Sequence, residues 1–301
     1  MKLEVRNINK SFGDKKILKD VSFAIESGRT MGFLGRNGAG KTTTIRIIMD
    51  VFKPNSGEVL IDGKPFKKED YKIGYLPEEK GMYQKVSLLD QLTYFAELKG
   101  MDKKSARDSS IKMIEKMNLT DFLNKPLSTL SKGNQQKFFI AQAIVNDPDI
   151  LILDEPFGGL DPVNAGVLKD IIKEFISKKK IVVFSSHQMS HVEEFCDDVT
   201  FIQDGKIILS DSLKKIKKEM GKNKIRLVCE NLKPKEVYEK LQDLKDIDVE
   251  VTKDYLIIEC LNKRTTNSLL KDLLKLDLVI ESFGYYEPSL ETIFINLERG
   301  K

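Results

Sequence analysis

Cysteine is scarce in this chain. Cys196, Cys229 and Cys260 are its three cysteines, widely spaced and odd in number, which excludes a disulfide framework and leaves no short pairing of the kind zinc sites use. All three read as reduced thiols. Long apolar runs are missing as well: the longest, such as Ile150 to Leu153 and Ile181 to Phe184, are four residues, against roughly 20 for a membrane-spanning helix. The opening MKLEVRNINKSFG alternates charged with apolar residues where a signal peptide would be continuously apolar. The expectation is a chain that does not cross a bilayer and stays inside the cell. Charge of one sign is in short supply too, since 50 basic against 46 acidic side chains leave +4, too little to make the whole chain a nucleic-acid binder. No internal repeat or low-complexity tract is found. What is present, 41% hydrophobic and 32% charged residues in 301, is a globular composition long enough for two domains at roughly 150 residues each.

The first segment alternates through Leu3, Val5 and Ile8, and Val21 to Ile25 leads through Glu26-Ser27-Gly28 to a strand at Thr30 to Leu34. A helix follows a glycine-rich loop. Ile150 to Leu153 and Ile181 to Phe184 are wholly aliphatic or aromatic strands separated by a helical pattern over Ala165 to Ser177, as suits strands buried on both faces of a parallel sheet. Leu88 to Gly100 and Lys104 to Met117 have helical periodicity with no strand between, so an all-helical insertion is expected over about 85–146. Val199 to Leu209 reads as a hairpin through Asp204-Gly205. The segment SLKKIKKEMGKNK then places Leu213, Ile216 and Met220 on one helical face, its lysines facing either solvent or an acidic surface. The domain boundary is expected near 220. Beyond it come strand, helix, two strands, helix and strand between Lys224 and Phe283, the order of a ferredoxin-like split βαβ unit, and a last helix after Pro288.

Gly35-Arg36-Asn37-Gly38-Ala39-Gly40-Lys41-Thr42 fits the phosphate-loop pattern GxxxxGK[ST], after a strand and opening a helix, with Thr43 next in line. Glycines let backbone N–H groups wrap phosphate oxygens at a helix N-terminus. Lys41 would bridge terminal phosphates and Thr42 would offer a hydroxyl to Mg²⁺. Asp154 and Glu155 stand at the C-terminal end of a buried strand, where ligands of open α/β sheets gather. Asp154 would hold Mg²⁺ through water, and Glu155 would polarise an attacking water.

Taken together these residues resemble the ATP-binding subunits of ABC transporters over about 1–215. Leu130-Ser131-Lys132-Gly133-Asn134-Gln135-Gln136 is similar to the family signature LSGGQ, with Lys132 for the middle glycine and Asn134 for the glutamine. The resemblance assigns γ-phosphate contact to Ser131 and Gly133. Gly158-Gly159-Leu160-Asp161 resembles the D-loop, and His187 the switch histidine that touches the γ-phosphate; His191 is given no role. Phe12 falls where the family stacks an aromatic on adenine, the competing reading being a core phenylalanine. Pro77-Glu78 falls at the Q-loop, where a glutamine normally reaches the metal. Either Glu78 serves there, or Glu79 in a shifted loop.

The resemblance implies an α/β fold, a P-loop NTPase of the ABC ATPase type with a helical insertion, in residues 1–220, followed by a small α+β ferredoxin-like domain in 221–301. It implies ATP and Mg²⁺ as cofactors. It also implies a head-to-tail dimer, with a second copy or a related ATPase subunit, whose motion drives an integral membrane permease from the cytoplasmic face. GYLPEEKGMY, LSKGNQQK and EPSLETIF look like the sodium-efflux-like branch of two-component exporters, whose permease is a separate polypeptide. A rival reading, a soluble ABC ATPase of translation or DNA repair, lacks the second cassette or long coiled coil it would need. An RNA-binding second domain would place aromatics on its paired strands, and Lys224 to Cys229 has none, so no nucleic-acid partner is expected.

Overall fold

The computed structural model describes residues 1–78, 81, 83–186 and 188–298. The chain divides into two compact units, Met1–Leu213 and Lys214–Lys301, the division falling at the first residue of the lysine-rich helix. In the first unit β1 (Lys2–Phe12) and β2 (Lys15–Glu26) form a hairpin, followed by β3 (Thr30–Leu34), α1 (Lys41–Ile48), β4 (Ser56–Ile61), β5 (Lys64–Pro65) and β6 (Ile73–Leu76). Three helices come next: α2 (Leu88–Leu98), α3 (Lys103–Lys116) and α4 (Lys132–Ile144). The unit then runs through β7 (Ile150–Asp154), α5 (Pro162–Ser177), β8 (Ile181–Ser186), α6 (Met189–Phe195), β9 (Asp198–Gln203) and β10 (Lys206–Ser212).

Two sheets share the core. A six-stranded sheet runs β10-β9-β3-β8-β7-β6, parallel from β9 to β6 with β10 antiparallel at the edge. Every residue of β3, β7 and β8 is buried, which explains why these strands are continuous apolar runs. The other sheet, β2-β1-β4-β5, is antiparallel. Its alternation turns Leu3, Val5, Ile8, Val21, Phe23 and Ile25 onto Met31, Phe33, Ile45 and Ile48. Strands β4, β5 and β6 have no counterpart in the sequence reading. Between β6 and β7 no described strand interrupts the helices. Each insertion helix begins on a side-chain cap, Ser87, Asp102 and Ser131 in turn, which accepts a backbone N–H of its first turn.

Helix α7 (Leu213–Met220) lies in the second unit from Lys214 on, and the unit continues as β11 (Lys224–Cys229), α8 (Pro234–Lys240), β12 (Ile247–Val251), β13 (Leu256–Cys260), α9 (Thr266–Leu273), β14 (Ile280–Tyr285) and α10 (Leu290–Glu298). Its sheet order, β12-β13-β11-β14 with antiparallel pairs, is the split βαβ arrangement. Ile225, Leu227, Leu256 and Ile258 pack on Val237 of α8, on Leu241 just past its end, and on Leu269 and Leu273 of α9. The opposite positions of the two central strands hold Lys224, Arg226, Val228, Ile257 and Glu259.

Candidate functional site

The loop from Gly35 to Gly40 joins fully buried β3 to α1. Gly40 has φ 112, and a Cβ there would lie 2.6 Å from Leu18 Cδ2, so only glycine fits where the loop enters the helix. The turn between β9 and β10 braces the loop from outside. Gly205 N–H donates to the Ala39 carbonyl at 3.0 Å and its own carbonyl accepts from Lys19 N–H at 2.7 Å. Asp204 and Gly205 both have positive φ, 47 and 77, the pairing of a type I′ hairpin turn. Helix α1 has no side-chain cap and no acid in its first turn, so no side chain of its own answers its N-terminal dipole.

Lys41 is 8% exposed. Its Nζ donates to the carbonyls of Gly35 at 2.6 Å and Arg36 at 3.2 Å. Burial pushes its pKa down, against the charges of Glu155, Asp154 and Glu78. A cleft of about 360 Å³ opens here, lined by Lys15, Ile17, Arg36, Asn37, Gly38, Gly40, Lys41, Thr42, Thr43, Glu78, Asp154 and Glu155.

The acidic wall is set by strand register. Asp154 pairs with Ser185 across β7 and β8, and Ser185 Oγ donates to Asp154 Oδ1. Asp154 is 2% exposed, and its Oδ2 has no hydrogen-bond partner among the described residues. Burial raises its pKa, with Glu155 adding to the effect and Ser185, Lys41 and Arg46 opposing it. A buried carboxylate oxygen without a partner, with the Thr42 hydroxyl on the same cleft, is the all-oxygen donor chemistry that suits Mg²⁺. Glu155 follows with φ 49, a left-handed backbone uncommon for a side chain of this size. Its N–H donates to the Ser185 carbonyl at 3.1 Å and its Oε2 accepts from Ser186 Oγ at 3.4 Å.

Other sequence-derived positions lie off this cleft. Phe12 ends β1, 46% exposed, with its ring edge-on to Phe52 at 5.4 Å and Lys10 Nζ 5.1 Å from its centroid. Ser131 caps α4 by accepting Asn134 N–H at 3.3 Å, with Lys132 and Gly133 in that first turn. Asp161 caps α5, accepting Asn164 N–H at 2.8 Å. None of these lines the cleft, and neither Gly35 nor Ala39 does; Gly35 enters through its carbonyl. His187 and Glu79 lie outside the described residues. Lys15 and Ile17 are cleft residues that motif reading missed. They belong to no motif, and only the register Phe12↔Lys15 of the first hairpin brings them to the loop.

A phosphate-type loop after β3, two carboxylates at the end of β7, one strand removed from it across β8, and a helical insertion between them in the chain define a P-loop NTPase of the ABC ATPase type. Comparison with known proteins is more specific. Residues 18–158 match the ABC transporter family and 212–297 the C-terminal domain of DrrA1-3-like ATP-binding proteins. The ABC transporter ATP-binding protein YhaQ of Bacillus subtilis is 38% identical over 295 residues, 97% of each chain. The ABC transporter ATP-binding protein NatA of the same organism is 33% identical over 71% of this chain and 91% of its own. A solved ATP-binding subunit of an ABC transporter superposes with a TM-score of 0.67 at 27% identity, covering 81% of this chain and 100% of its own. The chain belongs to the ABC transporter family as an ATP-binding subunit, and it is an ATPase.

Proposed function

We propose that the chain hydrolyses ATP in the cleft around Lys41 as one half of a head-to-tail pair, the other half being a second copy or a related ATPase subunit. The pair would sit at the cytoplasmic face of a membrane and drive export through a separate permease. The observation that carries this reading is the convergence of Lys41, Asp154 and Glu155 on one cleft, while Ser131, Lys132, Gly133, Asn134 and Asp161 stand elsewhere. A loop that opens a helix with polar groups and stands apart from the Lys41 cleft of its own chain is suited to complete the site of a second subunit.

In this reading Lys41 exchanges the Gly35 and Arg36 carbonyls for β- and γ-phosphate oxygens, aided by the N-terminal amides of α1. Phe12, half-exposed at the strand end, offers its ring to adenine, and Ile17 an apolar wall. Thr42 and Asp154 hold Mg²⁺, with Glu78 as a further carboxylate, and the ion when bound neutralises charge on the phosphate oxygens. Glu155 accepts the proton of the water that attacks the γ-phosphorus, and His187 reports the γ-phosphate. No described helix is long and apolar enough to cross a membrane, in keeping with a permease on another polypeptide. The sheet positions of the second unit that would meet RNA hold no aromatic on the central strands, so no RNA partner is proposed for it and support of the dimer is its default role.

The test is an affinity pull-down of tagged Glu155→Gln protein from detergent-solubilised membranes, with and without ATP. Recovery of a polytopic membrane protein with ATP present is expected. Recovery of ribosomes or DNA-repair factors instead would overturn the transport assignment and leave the ATP site standing.

A further inference from the structure

The backbone just beyond Glu155 is held by side chains that the nucleotide reading does not use. Gln136, buried on α4, donates from Nε2 to the Pro156 carbonyl at 2.6 Å. Phe157 is 4% exposed and lies nearly parallel to two rings of α6: His191 at 4.4 Å and 17°, and Phe195 at 4.9 Å and 11°. His191 and Phe195 are 6.3 Å apart, less than the sum of the other two separations, so Phe157 is not sandwiched between them but rests across both. Four residues apart, the two rings share one face of the helix and form a shelf. Phe184 of β8 closes its side edge-on at 5.5 Å. Lys169 of α5 sits 5.3 Å from the Phe195 centroid and pairs with Glu194 at 2.7 Å, tying the shelf to a third element.

The placement gives the shelf its meaning. Phe157 lies two residues after Glu155, whose φ is 49, and is followed by Gly158, Gly159 and the cap residue Asp161. Strained backbone on one side and two glycines on the other leave the ring as the fixed point of the segment. Helix α6, which carries the shelf, begins just after His187. We infer that His191 and Phe195 are positioning residues for ATP hydrolysis: by seating Phe157 they lock the Glu155–Asp161 segment to the helix that follows the switch position, so that both shift together. The inference rests on the functional reading above. His191 acts through Phe157 and does not touch nucleotide.

The experiment is steady-state hydrolysis of Mg²⁺-ATP by the full chain and by His191→Leu, His191→Phe and Glu155→Gln, with nucleotide affinity measured alongside. Leucine keeps apolar bulk but removes the flat ring, whereas phenylalanine keeps the ring and removes the imidazole nitrogens. His191→Leu is expected to lower kcat by about 10- to 100-fold, as a small misplacement of a reacting group does, with KM and affinity for ATP unchanged, and His191→Phe to restore kcat. A kcat for His191→Leu equal to the parent's would overturn the inference. So would a His191→Phe protein as slow as His191→Leu, since the nitrogens and not the shelf would then matter. Should His191→Leu fail to fold, Phe195→Leu removes the other ring and is read by the same split between kcat and KM. If Glu155→Gln hydrolyses ATP like the parent, the functional reading falls and the inference with it; a dead Glu155→Gln beside a normal His191→Leu removes the inference alone.

Discussion

Lys41 and Asp154 are buried ionisable groups that line one cleft, and burial disfavours the charged form of each. Lys41→Ala removes a charge-assisted contact worth about 1.5–3 kcal/mol, so ATP affinity, read by calorimetric titration, should fall roughly 10- to 150-fold. Binding equal to the parent's would refute the role given to it. Asp154 behaves in the opposite sense. Because burial raises its pKa in the native state, the folded chain keeps that proton to higher pH than the unfolded chain does. The stability this contributes is full below the unfolded carboxylate's pKa and is lost as pH rises through the native one. Asp154→Asn should therefore raise the melting temperature of the nucleotide-free protein near neutral pH, and the gain should shrink as the pH is lowered into the carboxylate range. An advantage that stays constant with pH would show that desolvation of the charge is not its source. The residues of this site were legible because their motifs have fixed spacing. Lys15 and Ile17 were not, because a lysine and an isoleucine on a strand carry no signal until the hairpin register places them.

At the scale of elements, what could be read was what has a strong period or a special turn. The fully apolar runs of β3, β7 and β8, the helices of the insertion and the Asp204-Gly205 hairpin each carry one physical signature. Strand β6 does not: Ile73–Leu76 is four residues with a glycine in the middle, too short for either period to emerge. Strand β4, Ser56–Ile61, is exposed over its first half and owes its place to pairing with β1. Gly221, which ends helix α7, is the only chain break the sequence offers near the boundary, whereas the compact units divide at the first residue of that helix. In that second unit Leu227, 1% exposed, lies in the core that α8 and α9 cover. Leu227→Ala should destabilise this unit by about 2–5 kcal/mol while leaving ATP affinity intact, seen as a shift of one calorimetric transition. Loss of nucleotide binding in this variant would argue against separate units.

For the whole molecule, the decisive quantity is the number of chains per site. Glu155→Gln protein should double its mass in light scattering when Mg²⁺-ATP is added, and a further Ser131→Arg change should abolish the doubling while the single chain still binds nucleotide. Doubling that survives Ser131→Arg would refute the head-to-tail arrangement. The same scale gives the Gly205 turn a second meaning. A Cβ at Gly205 would fall 2.0 Å from the Ile17 carbonyl oxygen, and the same residue props Ala39, so any side chain there must push either β2 or the phosphate loop aside. A random-mutagenesis screen for chains unable to retain ATP would thus recover substitutions at a hairpin turn far along the chain. A geneticist mapping such alleles onto the sequence alone would assign them, wrongly, to a region with no part in nucleotide handling.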